Sequence, residues 1–345
     1  MNQLFRWDQT GLFLLALAAG ILPFAVPEVC AAALREGLTL CSGPLLLSLF
    51  PFLVVSRLLI QCPESDLLAL PFRLAAWGIG IRRPCAARVL CIGFLGGFAP
   101  AASAAAQAVR TGQLTAEEAD ALLPACICSG PSFVVLTVGQ SMLGSAELGV
   151  LLFAAQITAN YLTAALLNRF AGVHSVEQES AAPASPAPPR LDEILADAAI
   201  TYCKLCGFIL FFRLLAAGAG ALLPTGAGTL CAILLEVCSG CDLASRTGRW
   251  GSLLCCAALS VQGLSVLLQV RTICPAEISL RPLLAARAVH LPLSVALFWL
   301  GSTVPVQAVQ TFTTLTERVV VLRRVPLDCA LLAFAVCCMA ACELN

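Results

Sequence analysis

From Leu148 to Asn168 the chain carries no charged side chain, and an α-helix rising 1.5 Å per residue needs about 20 such residues to cross the hydrocarbon core of a bilayer. Similar apolar runs recur at Gly11 to Val26, Pro44 to Ile60, Val89 to Val109, Ala198 to Leu223 and Leu283 to Leu300. A backbone in lipid must satisfy its hydrogen bonds internally, so only helices and closed barrels span membranes. Runs of this length without strict alternation select helices. The expected fold is therefore all-α and polytopic, with the lipid bilayer as a permanent partner.

Composition agrees. Hydrophobic residues make up 59% of the chain and charged residues 12%, about half the charge of an ordinary soluble domain. Twenty basic residues balance twenty acidic ones, which excludes the basic surplus of a nucleic-acid binder. The 25 Gly and 20 Pro fall partly inside apolar runs and imply interrupted helices. Most of the 19 Cys sit in hydrophobic runs such as Leu253 to Cys256, where Cys behaves as a small hydrophobe. Cys203/Cys206 and Cys238/Cys241 have metal-like spacing, but with two His in the chain the ligand count points to no metal site and no cofactor. Nor is there a phosphate-cradling glycine loop or a recognisable nucleophile set, so no catalytic residue is assigned and no enzyme is expected.

The chain divides into five parts. Residues 1–43 hold an N-terminal span and an amphipathic interfacial helix from Glu28 to Cys41. Residues 44–171 form a first unit and 194–302 a second, joined by a Pro/Ala/Ser-rich linker at 172–193. Residues 303–345 carry a polar stretch and a last span, Leu327 to Cys342. Within the first unit a second interfacial piece runs from Leu67 to Ile81, and Val89 to Val109 is broken or re-entrant at Gly96 to Pro100. Thr115 with Glu118 has the spacing of a helix capping box, and the nearby Glu117 and Asp120 fit the positive end of the same helix.

The two units resemble each other in order. Phe52 to Leu59 matches Phe208 to Leu215, with Arg57 opposite Arg213. Arg110-Thr111-Gly112 matches Arg246-Thr247-Gly248, Gly130 to Leu136 matches Gly263 to Leu268, and Leu151 to Leu166 matches Pro282 to Leu297, with Gln156 opposite Arg287. Four matches in one order imply a tandem repeat. In carriers built this way, interrupted helices at corresponding positions form a site near the midplane.

The candidate path residues come from the interruptions: Gly97, Phe98 and Pro100; Ser129, Gly130, Pro131 and Ser132; Glu236, Ser239 and Gly240; Gln262, Gly263, Ser265 and Gln269. Glu236 stands out, because an isolated charge at membrane depth costs at least about 2.5 kcal/mol on insertion scales and needs a cavity or a partner. It is read as a substrate, cation or proton site, or else as a residue near the wet end of a re-entrant segment or one that caps another helix. Gln156, Arg287 and His290 are secondary candidates, His290 as a proton relay or a hydrogen-bonded strut.

Arg35-Glu36-Gly37-Leu38, Phe50 to Ser56, Gly97-Phe98-x-Pro100, Ser129 to Phe133, Leu235 to Gly240 and Gln262 to Val270 together resemble the sporulation integral membrane protein YlbJ family. The resemblance implies two nucleoside-recognition (Gate) domains, and residence in the cell membrane of a spore-forming Gram-positive bacterium. It also implies a role in spore development and cortex formation, with a transport activity. Gly97 to Ala102 departs from the family's Gly-Phe-Pro-Met-Gly-Ala, and Leu267 replaces its usual His, so no ligand contact is carried onto those positions. The leading expectation is a transporter or channel for a small polar solute. The alternatives are a non-transporting scaffold for other sporulation membrane proteins and, last, an enzyme acting on a lipid-linked precursor.

Overall fold

The computed structural model describes residues 9–61, 63–172 and 190–303. Most of the linker and the polar stretch with its C-terminal span lie outside the described residues. Helices α1 (Gln9–Ala25), α2 (Pro27–Ser42) and α3 (Pro44–Gln61) are followed by a 3-10 turn (Pro63–Asp66) and α4 (Leu70–Gly78). Then come α5 (Pro84–Gly96), α6 (Phe98–Arg110), α7 (Ala116–Cys126), a π-helix (Ser132–Met142) and α8 (Ala146–Ala171). Beyond the linker lie α9 (Leu191–Leu222), α10 (Thr225–Leu235), α11 (Val237–Ser245), α12 (Gly251–Val261), α13 (Gly263–Ile273) and α14 (Arg281–Thr303). No strand occurs among the described residues.

By length and composition α8, α9, the α12–α13 pair and α14 can each cross a membrane, and α1 with α2 would make a fifth span if the 110° bend between them is counted as one. Phe13, Phe24, Leu74, Phe170, Leu230 and Trp299 are exposed. Burying such a side chain is worth about 1.5–3 kcal/mol relative to water, a gain that a surrounding bilayer supplies. The chain is an all-α polytopic integral membrane protein.

Two short helices on each side of the linker fold back as hairpins. In the first, α5 and α6 meet at Gly97, which takes φ +82°, a conformation that costs residues with a Cβ. The outer ends of this hairpin come together: Arg88 Nη1 and Gln113 Nε2 both donate to the Ile60 carbonyl, at 2.8 and 3.1 Å. Val89 to Val109 is thus re-entrant rather than a crossing. The second hairpin is α10 and α11, whose outer ends both pack on Gly220 through Gly228 and Leu243.

These hairpins enter from opposite ends of the molecule. Ile60 lies beside the N-terminal end of α9, where Arg57 pairs with Asp197. Gly220 lies 23 residues further along α9, about 35 Å away at 1.5 Å per residue. The remaining helices agree with this sense. α7 and the π-helix run away from the Asp197 end, and α8 returns, so that its Asn168 Nδ2 donates to the carbonyls of Ile79 and Ala121 at 2.8 and 3.1 Å. α12 and α13 run towards the Asp197 end, and α14 turns back, bringing Gly301 against Leu151 at the start of α8. The same order of long helix, hairpin, interrupted helix and long helix therefore occurs twice, with opposite direction. The matched arginines behave alike, Arg57 pairing with Asp197 and Arg213 with Glu36 at 2.6 Å.

Local chemistry explains several boundaries. Thr115 and Glu118 form the reciprocal capping box that their spacing implies: Glu118 N donates to Thr115 Oγ1 at 3.1 Å and Thr115 N to Glu118 Oε2 at 2.9 Å. Asp120 differs from its helix-dipole reading, because it stands in the second turn of α7 and its Oδ1 accepts from Ser279 N at 2.7 Å, holding the α13–α14 loop there. The Gln262 to Ser265 interruption narrows to Gln262 alone, with Ser265 and Gln269 already inside α13. Likewise the Glu236 to Gly240 interruption narrows to Glu236, since α11 starts at Val237.

Candidate functional site

Each hairpin tip crosses the interruption of the long broken helix in its own half. A Cβ on Gly97 would lie 2.7 Å from Gly130 N, and one on Gly263 would lie 2.9 Å from Glu236 N. The residues around Gly97, Gly130, Glu236 and Gly263 thus meet in two backbone-on-backbone crossings. Phe98, Pro100, Ser129, Pro131 and Ser132 belong to the first, and Pro100 packs against Gly96. Ser239 and Gly240 belong to the second, Gly240 lying against Ile233.

Glu236 is the cap of α11. Its Oε1 accepts from Cys238 N at 2.8 Å, and its Oε2 from Ser239 N and Ser239 Oγ at 2.7 and 2.8 Å. These three hydrogen bonds and the positive end of the helix offset the burial of a side chain that is 3% exposed. The side chain turns back on its own helix. At the matching tip the cap position is Gly97, and no side chain caps α6.

The two crossings are joined through one carbonyl. Ile127 O accepts from Gln262 Nε2 at 3.2 Å, from Arg287 Nη2 at 2.8 Å and, at the limit of 3.5 Å, from Asn160 Nδ2. Gln156 and Arg287, which occupy matching positions in the two halves, converge on Ser260. Gln156 Nε2 donates to its hydroxyl at 2.9 Å and Arg287 Nη1 to its carbonyl at 3.3 Å. His290 Nε2 lies 3.3 Å from Gln156 O, so that nitrogen carries the proton and donates. Sequence reasoning missed Ile127, Asn160 and Ser260. A backbone carbonyl leaves no trace in a sequence, and Asn160 and Ser260 are small uncharged polar residues of the kind that helices in a membrane commonly carry.

This centre contains more polar atoms than partners. Asn160 Oδ1, Gln262 Oε1, Arg287 Nε and His290 Nδ1 are buried and make no hydrogen bond, although buried polar groups are nearly always paired. Arg287 has no acid within ion-pair distance among the described residues. Gln269 stands apart from this cluster. It donates to Ser265 Oγ at 2.9 Å and lines a cleft between α3, α6, α9 and α13.

Compared with protein-family models, with curated proteins and with solved structures, the chain matches none.

Proposed function

We propose that the protein is a transporter or channel that passes a small polar solute through the centre around Ile127, and that it acts in the cell membrane during spore development. The observation that carries the transport reading is the meeting of two oppositely directed broken helices at Ile127 O, beside buried polar atoms with no partner. Unwound backbone and uncapped helix ends offer ligand-binding groups at membrane depth, and a guanidinium without an acid is expensive there unless a pathway needs it. The sporulation setting is supported by the resemblance to the YlbJ family alone.

Uptake into liposomes tests this reading. Purified protein is reconstituted and offered nucleosides, sugars and small organic anions, beside an Arg287→Gln variant checked for folding by size exclusion. Uptake by the wild type that falls at least tenfold in the variant supports the reading. Folded wild-type protein that moves none of the panel favours the scaffold.

A further inference from the structure

The cleft that Gln269 lines has a volume of about 190 Å³ and is separate from the hydrogen-bonded centre at Ile127. Three cations and one acid face it: Arg57, Arg110, Lys204 and Asp197. Arg57 and Asp197 are bound to each other. Arg110 and Lys204 make no ion pair and no hydrogen bond with the described residues, so the walls carry two uncompensated positive charges. The matching half shows that this is a particular arrangement. There Arg246 is held by both oxygens of Asp242, one turn earlier, at 2.9 and 2.8 Å. One turn before Arg110 stands Ala106, which leaves the guanidinium free. Lys204 is the one lysine in the whole sequence.

The deep end of the cleft is polar as well. Gln269 is 2% exposed. Its Nε2 donates to Ser265 Oγ at 2.9 Å, and its Oε1 is buried without a donor. An acceptor that lacks a donor, below two cations that lack anions, defines a ligand with the complementary groups.

We infer that this cleft binds a small dianion that also carries a hydroxyl group, the simplest case being a polyol phosphate monoester. The phosphate is held by Arg110 and Lys204, whose N–H groups match phosphate oxygens, and the hydroxyl donates to Gln269 Oε1. The inference goes beyond the transport reading, since the cleft is separate from the centre at Ile127, and rests on that reading only for any movement of the ligand after it has bound. A glycerol phosphate group with a free hydroxyl also occurs, as a singly charged diester, in the headgroup of phosphatidylglycerol, and the two sources are separated by experiment.

Glycerol 3-phosphate is titrated calorimetrically into full-length protein in neutral detergent, with glycerol as the uncharged control. Binding is expected, with none for glycerol. Arg110→Gln and Lys204→Gln, both at exposed positions, each weaken it about tenfold, and Asp197→Asn, which frees Arg57, strengthens it. A second arm places the protein in nanodiscs with or without phosphatidylglycerol. Loss of soluble-ester binding when that lipid is present, restored in lipid-free detergent, assigns the cleft to the headgroup; equal binding in both assigns it to the free ester. Absence of glycerol 3-phosphate binding by folded protein in lipid-free detergent, equal binding of glycerol, or full affinity in the Arg110→Gln/Lys204→Gln double variant overturns the inference. Binding without uptake would sink the transport reading and leave the cleft assignment intact.

Discussion

Gln262 reaches 135 positions back along the chain to donate from Nε2 to the carbonyl of Ile127 at 3.2 Å. Both residues lie where a membrane-depth helix is interrupted, Ile127 at the end of α7 and Gln262 between α12 and α13. Gln262 itself has φ +63°, the one positive value outside glycine among the described residues. Backbone strain of this kind costs about 1–3 kcal/mol and is held by its surroundings. Gln262→Gly relieves the strain but removes the link to Ile127. The expected result is a protein that still folds, with a thermal midpoint within a few degrees of the wild type, and whose uptake is impaired.

The glycine crossings give a graded comparison. Gly97 and Gly112 both have left-handed backbone, at φ +82° and +71°, but a Cβ at Gly97 meets Gly130 N at 2.7 Å while one at Gly112 meets nothing within 4 Å. Gly112→Ala should cost only the conformational strain, about 1 kcal/mol. Gly97→Ala must also push the hairpin tip off the broken helix, and is expected to lower the thermal midpoint much further or abolish recovery from detergent. Equal effects of the two substitutions would contradict the crossing.

Glu236 is expected to act on stability before it acts on transport. Glu236→Ala removes three hydrogen bonds from the start of α11 and should cost at least the roughly 1–2 kcal/mol of a lost helix cap. Glu236→Gln keeps one acceptor oxygen and should lie between the alanine variant and the wild type. Thermal denaturation followed by size exclusion reads the order directly, and an alanine variant as stable as the wild type would rule out a stabilising cap.

Asp120 tests the contact between the two halves at the end that carries Asp197. Asp120→Asn retains an oxygen for Ser279 N, whereas Asp120→Ala leaves that N–H without its partner. The alanine change should destabilise by about 1–3 kcal/mol and the asparagine change by clearly less, measured by the same denaturation.

Parts of this architecture were legible residue by residue, and the reasons differ. The Thr115/Glu118 box is local, so spacing alone located it. The interruptions at Gly97, Gly130 and Gly263 were visible because Gly and Pro break helices wherever they occur. Whether α6 crosses or folds back beside α5 stays open in the sequence, which allows a broken or a re-entrant helix, because an apolar pattern has the same period whether the chain continues across or returns. The direction of the Glu236 carboxylate depends on the helix restarting at Val237, one residue on, which no composition rule fixes. Arg110 is unpaired only because Ala106 precedes it by one turn and no acid comes near from another helix, a fact of tertiary placement.

The central claim is that the interruptions around Ile127 and Gln262 form an openable polar path rather than a packed joint. Hydrogen exchange of the folded protein in nanodiscs measures this most directly, using peptides covering 126–132 and 260–265 against peptides from the middle of α8 and α14. An openable path predicts exchange in the interruptions at least about a hundredfold faster than in those helices, slowed when a transported solute is added. Protection as strong as that of α8 and α14, indifferent to any solute, would contradict it.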